Sequence, residues 1–253
     1  MNIQTKKTIL ILAITCVMTL SMLGVYADYL KHKPPDKILL DEKVLIIYPF
    51  FTEIAYAENS FYAYFDGRCD ESCLTKTMNV QRGARYVLGL NSYDHLFQSY
   101  YSVKDIDVEK IPPMLHRYHT LILLHNEYVT QKVYDEITNH PNVIYLYPNS
   151  LYGKVTADFE KNTITLVRGH GYPDGTANGF DWIHDNTEEE KECKEGEWSF
   201  RNVTNGIQLN CYPENIIRSD KELQNYIQNY IVQSKTEVGN ERYLPDVTLE
   251  KLK

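Results

Sequence analysis

The stretch "TLILLHNEYVTQKVYDEITNHPNVIYLYPN", residues 120–149, decides the fold, because it carries the pattern of a strand, a helix and a second strand. Its start, "TLILLHN" at residues 120–126, is an apolar run of the kind buried on both faces of a parallel sheet. Thr130 is a good N-cap for an amphipathic helix, and Pro141 ends that helix. "NVIYLYPN" at residues 142–149 predicts the next strand. Short joins favour a right-handed crossover and parallel pairing.

The rest of the chain extends this pattern into an α/β domain. "KVLIIYP" at residues 43–49 is a second continuous apolar run, and "SVKDIDV" at residues 102–108 predicts a further strand. "KVTADFEKNTITLVRG" at residues 154–169 predicts a β-hairpin, because two alternating segments flank a polar centre. "NGIQLNCYP" at residues 205–213 predicts a late strand, and residues 220–234 a closing amphipathic helix. We expect a three-layer α/β fold with a mostly parallel sheet, of flavodoxin or class I amidotransferase type, plus the hairpin.

The N-terminus predicts a membrane anchor. Lys6 and Lys7 precede residues 8–27, which contain no charge and have about the 20-residue length that crosses a bilayer. The lysines should stay in the cytoplasm and direct the remainder outward. A cleaved signal peptide is the alternative, with residues 25–27 as its cleavage region. The length favours a retained anchor. The expected order is a signal anchor or transmembrane helix at 1–27, a proline-containing stalk at 28–42, an extracytoplasmic domain at 43–234 and a tail at 235–253.

Composition narrows the classes of partner. The 253-residue chain has a net charge of -8, which argues against binding of nucleic acid, since a phosphate-binding face must be basic. The membrane, through the N-terminal helix, is the first expected partner. An excess of tyrosine, 21 in all, suits a surface that binds a glycan or an envelope protein, and it equally suits an ordinary sheet face. Asn202, in the pattern Asn-Val-Thr, is a candidate glycosylation site.

The cysteines agree with an extracytoplasmic location. Cys16 lies in the apolar span, which leaves Cys69, Cys73, Cys193 and Cys211, an even number. Four cysteines permit three pairings. The short spacing in "CDESC" and the loop-like surroundings of Cys193 favour Cys69–Cys73 and Cys193–Cys211. Zinc binding is the alternative, but neither pair has a further cysteine or histidine at finger spacing.

Polar residues follow three predicted strands, where parallel sheets bind their ligands. A helix N-terminus needs one short polar residue as its cap, and Asn126 or Thr130 supplies it. Capping therefore does not require His125 or Glu127. Glu127 is the first candidate for a catalytic base or metal ligand, and His125 for a catalytic group. The alternatives are a favourable charge at a helix N-terminus for Glu127 and a satisfied core position for His125. The candidate substrate-binding residues at the same edge are Thr52, Tyr128, Asn149 and Tyr152.

A second candidate cluster is "VRGHGYPDG", residues 167–175. Arg168 and His170 would bring a cation and an imidazole to the same edge, although glycine and proline also mark an ordinary turn. His125, Glu127 and His170 are of the residue types that hold a metal, with iron or zinc as the candidates. No buried strand ends in a nucleophilic cysteine, and no G-x-S-x-G, G-x-G-x-x-G or G-x-x-x-x-G-K-[ST] pattern occurs.

Two resemblances rest on short motifs. The H-x-E-Y at His125, Glu127 and Tyr128, followed by a helix and a strand closing on Asn149 and Tyr152, resembles the C-terminal, class I glutamine-amidotransferase-like domain of the N,N-dimethylformamidase large-subunit family. That resemblance implies amidohydrolase activity with iron held by tyrosines and a glutamate, so that Glu127 becomes the carboxylate ligand and Tyr128 or Tyr152 a phenolate. "FDGRCDESCLT", "LLHNEYVT", "YPNSLYG" and "VRGHGYP" also resemble a group of membrane-anchored archaeal proteins from ammonia oxidisers.

The sequence therefore supports two hypotheses. The first is an extracytoplasmic hydrolase of C–N or similar bonds, with Glu127 as base or metal ligand and Arg168 and His170 binding the developing anion. The second is a non-catalytic module of the cell envelope that recognises a glycan or another envelope protein through the aromatic residues of 50–65.

Overall fold

The two long apolar runs of the sequence become central strands of a six-stranded sheet. The computed structural model describes residues 43–79, 89–182 and 191–238. The predicted anchor and stalk, and the tail beyond residue 238, lie outside the described residues. Within the described ranges, every helix is too short or too polar to span a bilayer.

The larger sheet is mostly parallel, as the sequence predicts. Its strands lie in the order β3-β1-β4-β6-β10-β9, and all neighbours pair in parallel except β9, which is antiparallel to β10. The prediction of a strand over residues 102–108 is wrong in its second half, because a helix begins at Asp105. The strands are β1 (Val44–Tyr48), β3 (Tyr101–Lys104), β4 (Thr120–Leu123), β6 (Val143–Tyr145), β9 (Phe200–Val203) and β10 (Gly206–Leu209).

A second, four-stranded sheet contains the predicted hairpin. Its strands lie in the order β2-β8-β7-β5, and the antiparallel pairing of β7 with β8 confirms the hairpin. β5 pairs with β7 in parallel, so residues 128–130 form a strand where the sequence suggests only a loop. The four strands are β2 (Thr75–Thr77), β5 (Tyr128–Thr130), β7 (Gly153–Asp158) and β8 (Thr163–Arg168).

Six helices and two 3-10 turns complete the described structure. Thr130 caps α5 as predicted, since its hydroxyl accepts a hydrogen bond from the Val133 amide at 3.2 Å. The closing helix runs four residues further than predicted, to Val238. The helices are α1 (Phe50–Ala55), α2 (Phe61–Phe65), α3 (Leu90–Phe97), α4 (Asp105–Lys110), α5 (Gln131–Asn139) and α6 (Lys221–Val238), and the 3-10 turns are Glu71–Leu74 and Pro112–Arg117.

The central strands are buried on both faces, which explains their unbroken apolar sequence. Leu45 and Leu121 point into one core with α1, α5 and the second sheet. Ile46 and Ile122 point into the other core, against α3 and α6. Strands covered on both sides cannot alternate apolar with polar residues, so continuous apolar runs are required.

Both predicted disulfides are present. Cys69–Cys73 closes the loop after α2, and Cys193–Cys211 joins the segment before β9 to the segment after β10. The second bridge is buried in the core beneath α6. Two disulfides fit an oxidising, extracytoplasmic environment. Asn202 is exposed on β9 at the edge of the larger sheet, and its glycosylation stays a prediction.

Candidate functional site

The sheet topology marks one crevice for ligand binding. From β1 the chain moves to β3 on one side and then crosses back to β4 on the other side. The strand order therefore reverses between β1 and β4, and ligands of open α/β sheets bind outside the carboxyl ends of the strands at such a point. The segments that leave β1 and β4 there are residues 49–52 and 124–127.

Glu127 is held at this crevice by the backbone on both sides. The Tyr128 amide donates to the Thr52 hydroxyl at 3.0 Å, and the Gly153 amide donates to the Glu127 carbonyl at 2.8 Å. These bonds join the segment after β4 to α1 and to β7. The Glu127 side chain is 1% exposed, so its carboxylate is directed into the protein and not into solvent.

Two tyrosine hydroxyls converge on the Glu127 carboxylate. Tyr56 donates to Glu127 Oε2 at 2.7 Å, and the Tyr62 hydroxyl lies 3.2 Å from Glu127 Oε1. The Tyr62 hydroxyl is also 2.6 Å from that of Tyr56, to which it donates. Tyr56 follows α1, Tyr62 belongs to α2, and both are half-buried. Two tyrosines of one segment and a glutamate distant in sequence therefore meet at one point, which we call the Glu127 cluster: Tyr56, Tyr62 and Glu127.

Two predicted histidines flank the Glu127 cluster. His125 Nε2 lies 3.4 Å from Glu127 Oε2, with both side chains 1% exposed. His170 Nε2 lies 3.3 Å from the Tyr62 hydroxyl, and its ring stacks on Phe65 with centroids 4.3 Å apart. Three of the four predicted catalytic residues are thus brought together.

The loop after β8 delivers His170. Its backbone φ is +57°, in the left-handed region, and the flanking Gly169 and Gly171 share that hand. The His170 amide donates to the Ala177 carbonyl at 2.8 Å, which closes the loop on itself. The glycines of this motif therefore serve to turn the chain and present the imidazole.

Arg168 is directed elsewhere. Its guanidinium pairs with Asp181 at 3.3 Å and lines a cavity formed with Lys154 and Phe180. In the β8 strand, successive side chains point to opposite faces, and the strand ends at Arg168 before the loop redirects the chain to His170. The described contacts do not bring Arg168 to the Glu127 cluster.

The four predicted substrate-binding residues have mixed positions. Thr52 is fully buried and accepts from the Tyr128 amide, so it anchors the backbone. Tyr128 lies in β5, not in a loop, and its ring is fully buried against Phe61. Asn149 is 6% exposed, and its buried Oδ1 has no hydrogen-bond partner among the residues that the structure describes. Tyr152 is half-buried, with its ring edge-on to His170 at 5.7 Å.

Burial and charge hold the phenols in their protonated form. Burial, followed by the Glu127 carboxylate, raises the pKa of Tyr62 far above its usual value. The same two causes raise the pKa of Tyr128. Tyr62 therefore donates hydrogen bonds at neutral pH, and only a nearby cation would ionise it.

Asp105 is a buried acid at this edge that sequence reasoning missed. It accepts from the Phe51 amide and from Asn126 Nδ2, both at 3.1 Å, and so ties the segments after β1, β3 and β4 together. Burial raises its pKa to about 8. The pattern of residues 102–108 suggests a strand, so the sequence does not indicate that Asp105 lies just after the end of a strand. Tyr56 was missed because aromatic residues are frequent throughout 50–65.

Metal binding at the cluster would depend on the tyrosines. Across the described ranges, no three His, Cys, Asp or Glu side chains are grouped so that they could hold a metal ion. His125, Glu127 and His170 therefore do not form a three-ligand site by themselves, since the Tyr62 hydroxyl stands between Glu127 and His170. Any metal set at this position includes the phenol oxygens of Tyr56 and Tyr62.

A cavity of about 470 Å³ opens at the carboxyl ends of β1 and β3, beside the crevice. Tyr48, Glu53, Tyr93 and Lys104 are among its lining residues, and the residues of the Glu127 cluster are not.

No protein-family model matches this chain, and no curated protein matches it at a significant level.

Proposed function

We propose that this protein is a membrane-anchored, extracytoplasmic, amidotransferase-like hydrolase of C–N bonds, with a metal centre at the Glu127 cluster. The observation that carries the proposal is the convergence of two phenol oxygens on one buried carboxylate at the topological switch point. A buried carboxylate has about four acceptor sites, so the two phenols also satisfy its hydrogen bonding. Glu127 has two phenols and a nearby imidazole, which is the type of donor set that binds an oxygen-seeking metal.

The strand order supports the amidotransferase-like part of the proposal. When the five parallel strands are counted along the chain, their spatial order is 2-1-3-4-5. That order is the flavodoxin-like arrangement, which binds its ligand at the switch point next to the first strand. The H-x-E-Y resemblance lies at the same point. The added second sheet and the antiparallel β9 are departures from the simplest form of this fold.

The spacing of the oxygens is that of hydrogen bonds, and it is also close to the spacing of oxygens that share one metal ion. Two oxygens that bind one ion side by side, with bonds of about 2.0–2.1 Å, lie about 2.9 Å apart. The separations between Tyr56, Tyr62 and Glu127 are 2.6, 2.7 and 3.2 Å. Phenolate and carboxylate are hard ligands, so the set suits ferric iron better than zinc.

The residues of the cluster have separable roles in the proposed reaction. A metal ion held by Tyr56, Tyr62 and Glu127 would supply Lewis-acid chemistry toward the carbonyl of an amide. Tyr56 and Tyr62 would hold it as phenolates, and the charge of the cation would offset the effect of burial, which raises the pKa of Tyr62. His170 is half-buried and 3.3 Å from the Tyr62 hydroxyl, so it is positioned to exchange a proton with solvent. His125 orients the carboxylate from beneath.

The location rests on two features. The disulfides suit an oxidising compartment, and the uncharged residues 8–27 have the length of a membrane anchor. A tethered enzyme of this kind would act on small amides outside the cytoplasm.

The test is metal content together with hydrolysis. Full-length protein would be purified, loaded with iron or zinc, dialysed and analysed for bound metal, and then assayed for ammonia or amine release from small amides. We expect about one iron per chain and metal-dependent release. Glu127→Gln should lose both, because the neutral amide supplies no anionic oxygen, and activity should fall by about 100-fold or more, at or beyond the upper end of the loss seen for outer-shell residues.

Tyr64→Phe is the matched control. Tyr64 neighbours Tyr62 on α2, is also half-buried, and packs edge-on to Tyr172 outside the cluster. Its variant should retain wild-type metal content and activity. A wild-type protein that binds no metal under these conditions and releases no amine contradicts the proposal.

A non-catalytic module that binds an envelope glycan is the second candidate function. The aromatic residues of 50–65 support this function less than the sequence suggests, because Phe50, Phe51 and Phe61 are buried in the core. A different observation favours it: Phe200 and Tyr226 stack in parallel with centroids 4.8 Å apart, and Tyr226 is 44% exposed. Glycan binding that is lost in Tyr226→Ala and kept in Tyr64→Ala would support this alternative.

A further inference from the structure

A second cavity carries an unusual balance of charge. Its volume is about 180 Å³, and it lies between the start of α5, the open end of the β7–β8 hairpin and residues 179–181. It shares no lining residue with the Glu127 cluster. The lining residues are Gln131, Tyr134, Lys154, Arg168, Gly179, Phe180 and Asp181.

Two of these residues are cations that pair across the hairpin. Lys154 of β7 and Arg168 of β8 are register partners beside a shift of register between Lys154 and Val155, and both line the cavity. Like charges directly across a strand pair destabilise the sheet. In a chain with a net charge of -8, such a pair needs an explanation. A bound anion would supply one.

The described residues provide little compensation for this pair. Asp181 is the one acid among the described residues that line the cavity, and its side chain is 93% exposed where it meets Arg168. An ion pair this exposed stabilises weakly. Lys154 Nζ is held by the neutral Gln131 Oε1 at 2.7 Å, while Gln131 Nε2 donates to Asp135 on the next turn. The two cations are thus positioned by neutral and exposed groups.

The remaining walls suit an organic body. Tyr134 and Phe180 stack almost parallel, with ring centroids 4.1 Å apart and an interplanar angle of 2°. Lys154 Nζ lies 5.9 Å from the centre of the Phe180 ring. Gly179 lets the chain pack on the hairpin, since a Cβ there would lie 2.4 Å from the Lys154 amide nitrogen. A flat apolar wall therefore stands beside the two cationic groups.

We propose that this cavity binds a small organic carboxylate between Lys154 and Arg168. Among the described lining residues, the two cations and Asp181 leave one net positive charge, which a monoanion neutralises and a phosphate dianion would reverse. Guanidinium binds carboxylate in a planar, two-bond geometry, and the ammonium of Lys154 adds a third donor. The volume is below the range of about 300–1,000 Å³ for drug-sized ligands, so the ligand is small. The site is independent of the proposed hydrolase centre.

The experiment is an NMR titration of the full-length, isotope-labelled protein with sodium acetate and sodium propionate at constant ionic strength. We expect saturable shifts at the backbone amides of Gln131, Phe180 and Asp181, with propionate binding more tightly than acetate through the aromatic wall. Acetamide, which has the same shape without the charge, should cause none. Inorganic phosphate should bind more weakly than propionate.

Variants make the assignment specific. Lys154→Met and Arg168→Gln should each weaken propionate binding at least fivefold, whereas Asp181→Asn should strengthen it because a competing anion is removed. Lys161→Met is the matched control, since Lys161 lies on the same hairpin and pairs with Asp158 away from the cavity. If Lys154→Met fails to fold, the exposed Asp181→Asn still tests the sign of the effect. Linear, unsaturable shifts, unchanged affinity in Arg168→Gln, or tighter binding of phosphate than of propionate would overturn the proposal.

Discussion

At the scale of single residues, the proposed site consists of buried polar groups that are far apart in sequence and close together in space. Glu127 could be predicted as a site residue from the sequence, because capping of the helix does not require it. Tyr56 and Tyr62 could not, because they contact Glu127 across 71 and 65 positions of sequence. Which of 21 tyrosines reaches a given carboxylate is decided by tertiary packing, which a local pattern does not contain.

Asp105 gives a pH prediction. Its pKa is raised from 3.8 to about 8 in the folded protein, first by burial. Between these values the unfolded chain has released the proton and the folded chain keeps it, so the free energy of unfolding falls as pH rises, by up to about 1.4 kcal/mol per unit. Chemical denaturation from pH 4 to pH 8 should show this decline.

Asp105→Asn should remove that part of the pH dependence, because the amide cannot ionise in either state. The difference between the wild-type and variant curves isolates the one carboxyl from all other titrating groups. Parallel curves for the two proteins over this range would contradict the assignment.

Gly153 gives a packing prediction at the same scale. A Cβ at this position would lie 2.4 Å from Tyr128 Cδ1, within the buried ring's own space. Gly153→Ala should therefore cost about 1–3 kcal/mol of unfolding free energy through overpacking. Urea denaturation measures it. Gly67→Ala is the comparison, because a Cβ there meets no atom within 4 Å and only the backbone conformation opposes it.

At the scale of elements, the sequence predicts helices and strands best where the hydrophobic periodicity agrees with the capping or turn residues at their ends. The apolar runs at β1, β4 and β6, the hairpin and the cap of α5 all follow from local chemistry. β5 does not, because a three-residue strand carries too little pattern to stand out from a loop. The α4 helix was also missed, since residues 105–108 alternate in polarity as a strand does.

The cap of α5 can be tested directly. The Thr130 hydroxyl accepts from the Val133 amide and donates to the Glu109 carboxylate, joining α5 to α4. Thr130→Ala should lose both bonds and cost about 1–2 kcal/mol, as measured by thermal or chemical unfolding. Thr130→Ser keeps the hydroxyl and should cost much less. Equal losses in the two variants would show that the methyl group, not the cap, is responsible.

At the scale of the whole molecule, the disulfides stabilise unequal parts of the domain. Cys193–Cys211 closes a separation of 18 residues and lies in the core, whereas Cys69–Cys73 closes 4 residues near the surface. A longer loop loses more entropy in the unfolded chain when it is cross-linked. Removal of Cys193–Cys211 should therefore cost about 3 kcal/mol of unfolding free energy, and removal of Cys69–Cys73 about 2 kcal/mol or less.

Double cysteine-to-serine variants of each pair, compared by chemical denaturation, measure this order. The reverse order would mean that the surface loop after α2, and not the core bridge, limits stability. It would also direct attention to the loop that follows Tyr62 and Phe65.

The larger fold was predictable because strands buried on both faces must be apolar throughout, and few topologies satisfy that. The second sheet was less predictable, since its outer strands pair residues far apart, such as Thr75 with Thr165. The same non-local pairing carries His170 to the Glu127 cluster. Architecture therefore follows largely from local pattern here, whereas the composition of the site follows from tertiary contacts.

The most direct measurement is a visible absorption titration of the full-length protein with ferric iron. If Tyr56 and Tyr62 bind iron together with Glu127, a tyrosinate-to-iron charge-transfer band should appear and saturate at one equivalent. It should weaken in Tyr56→Phe and in Tyr62→Phe, vanish in the double variant, and persist in Tyr64→Phe. The absence of a band from the wild-type protein, or an undiminished band in the double variant, would contradict the account.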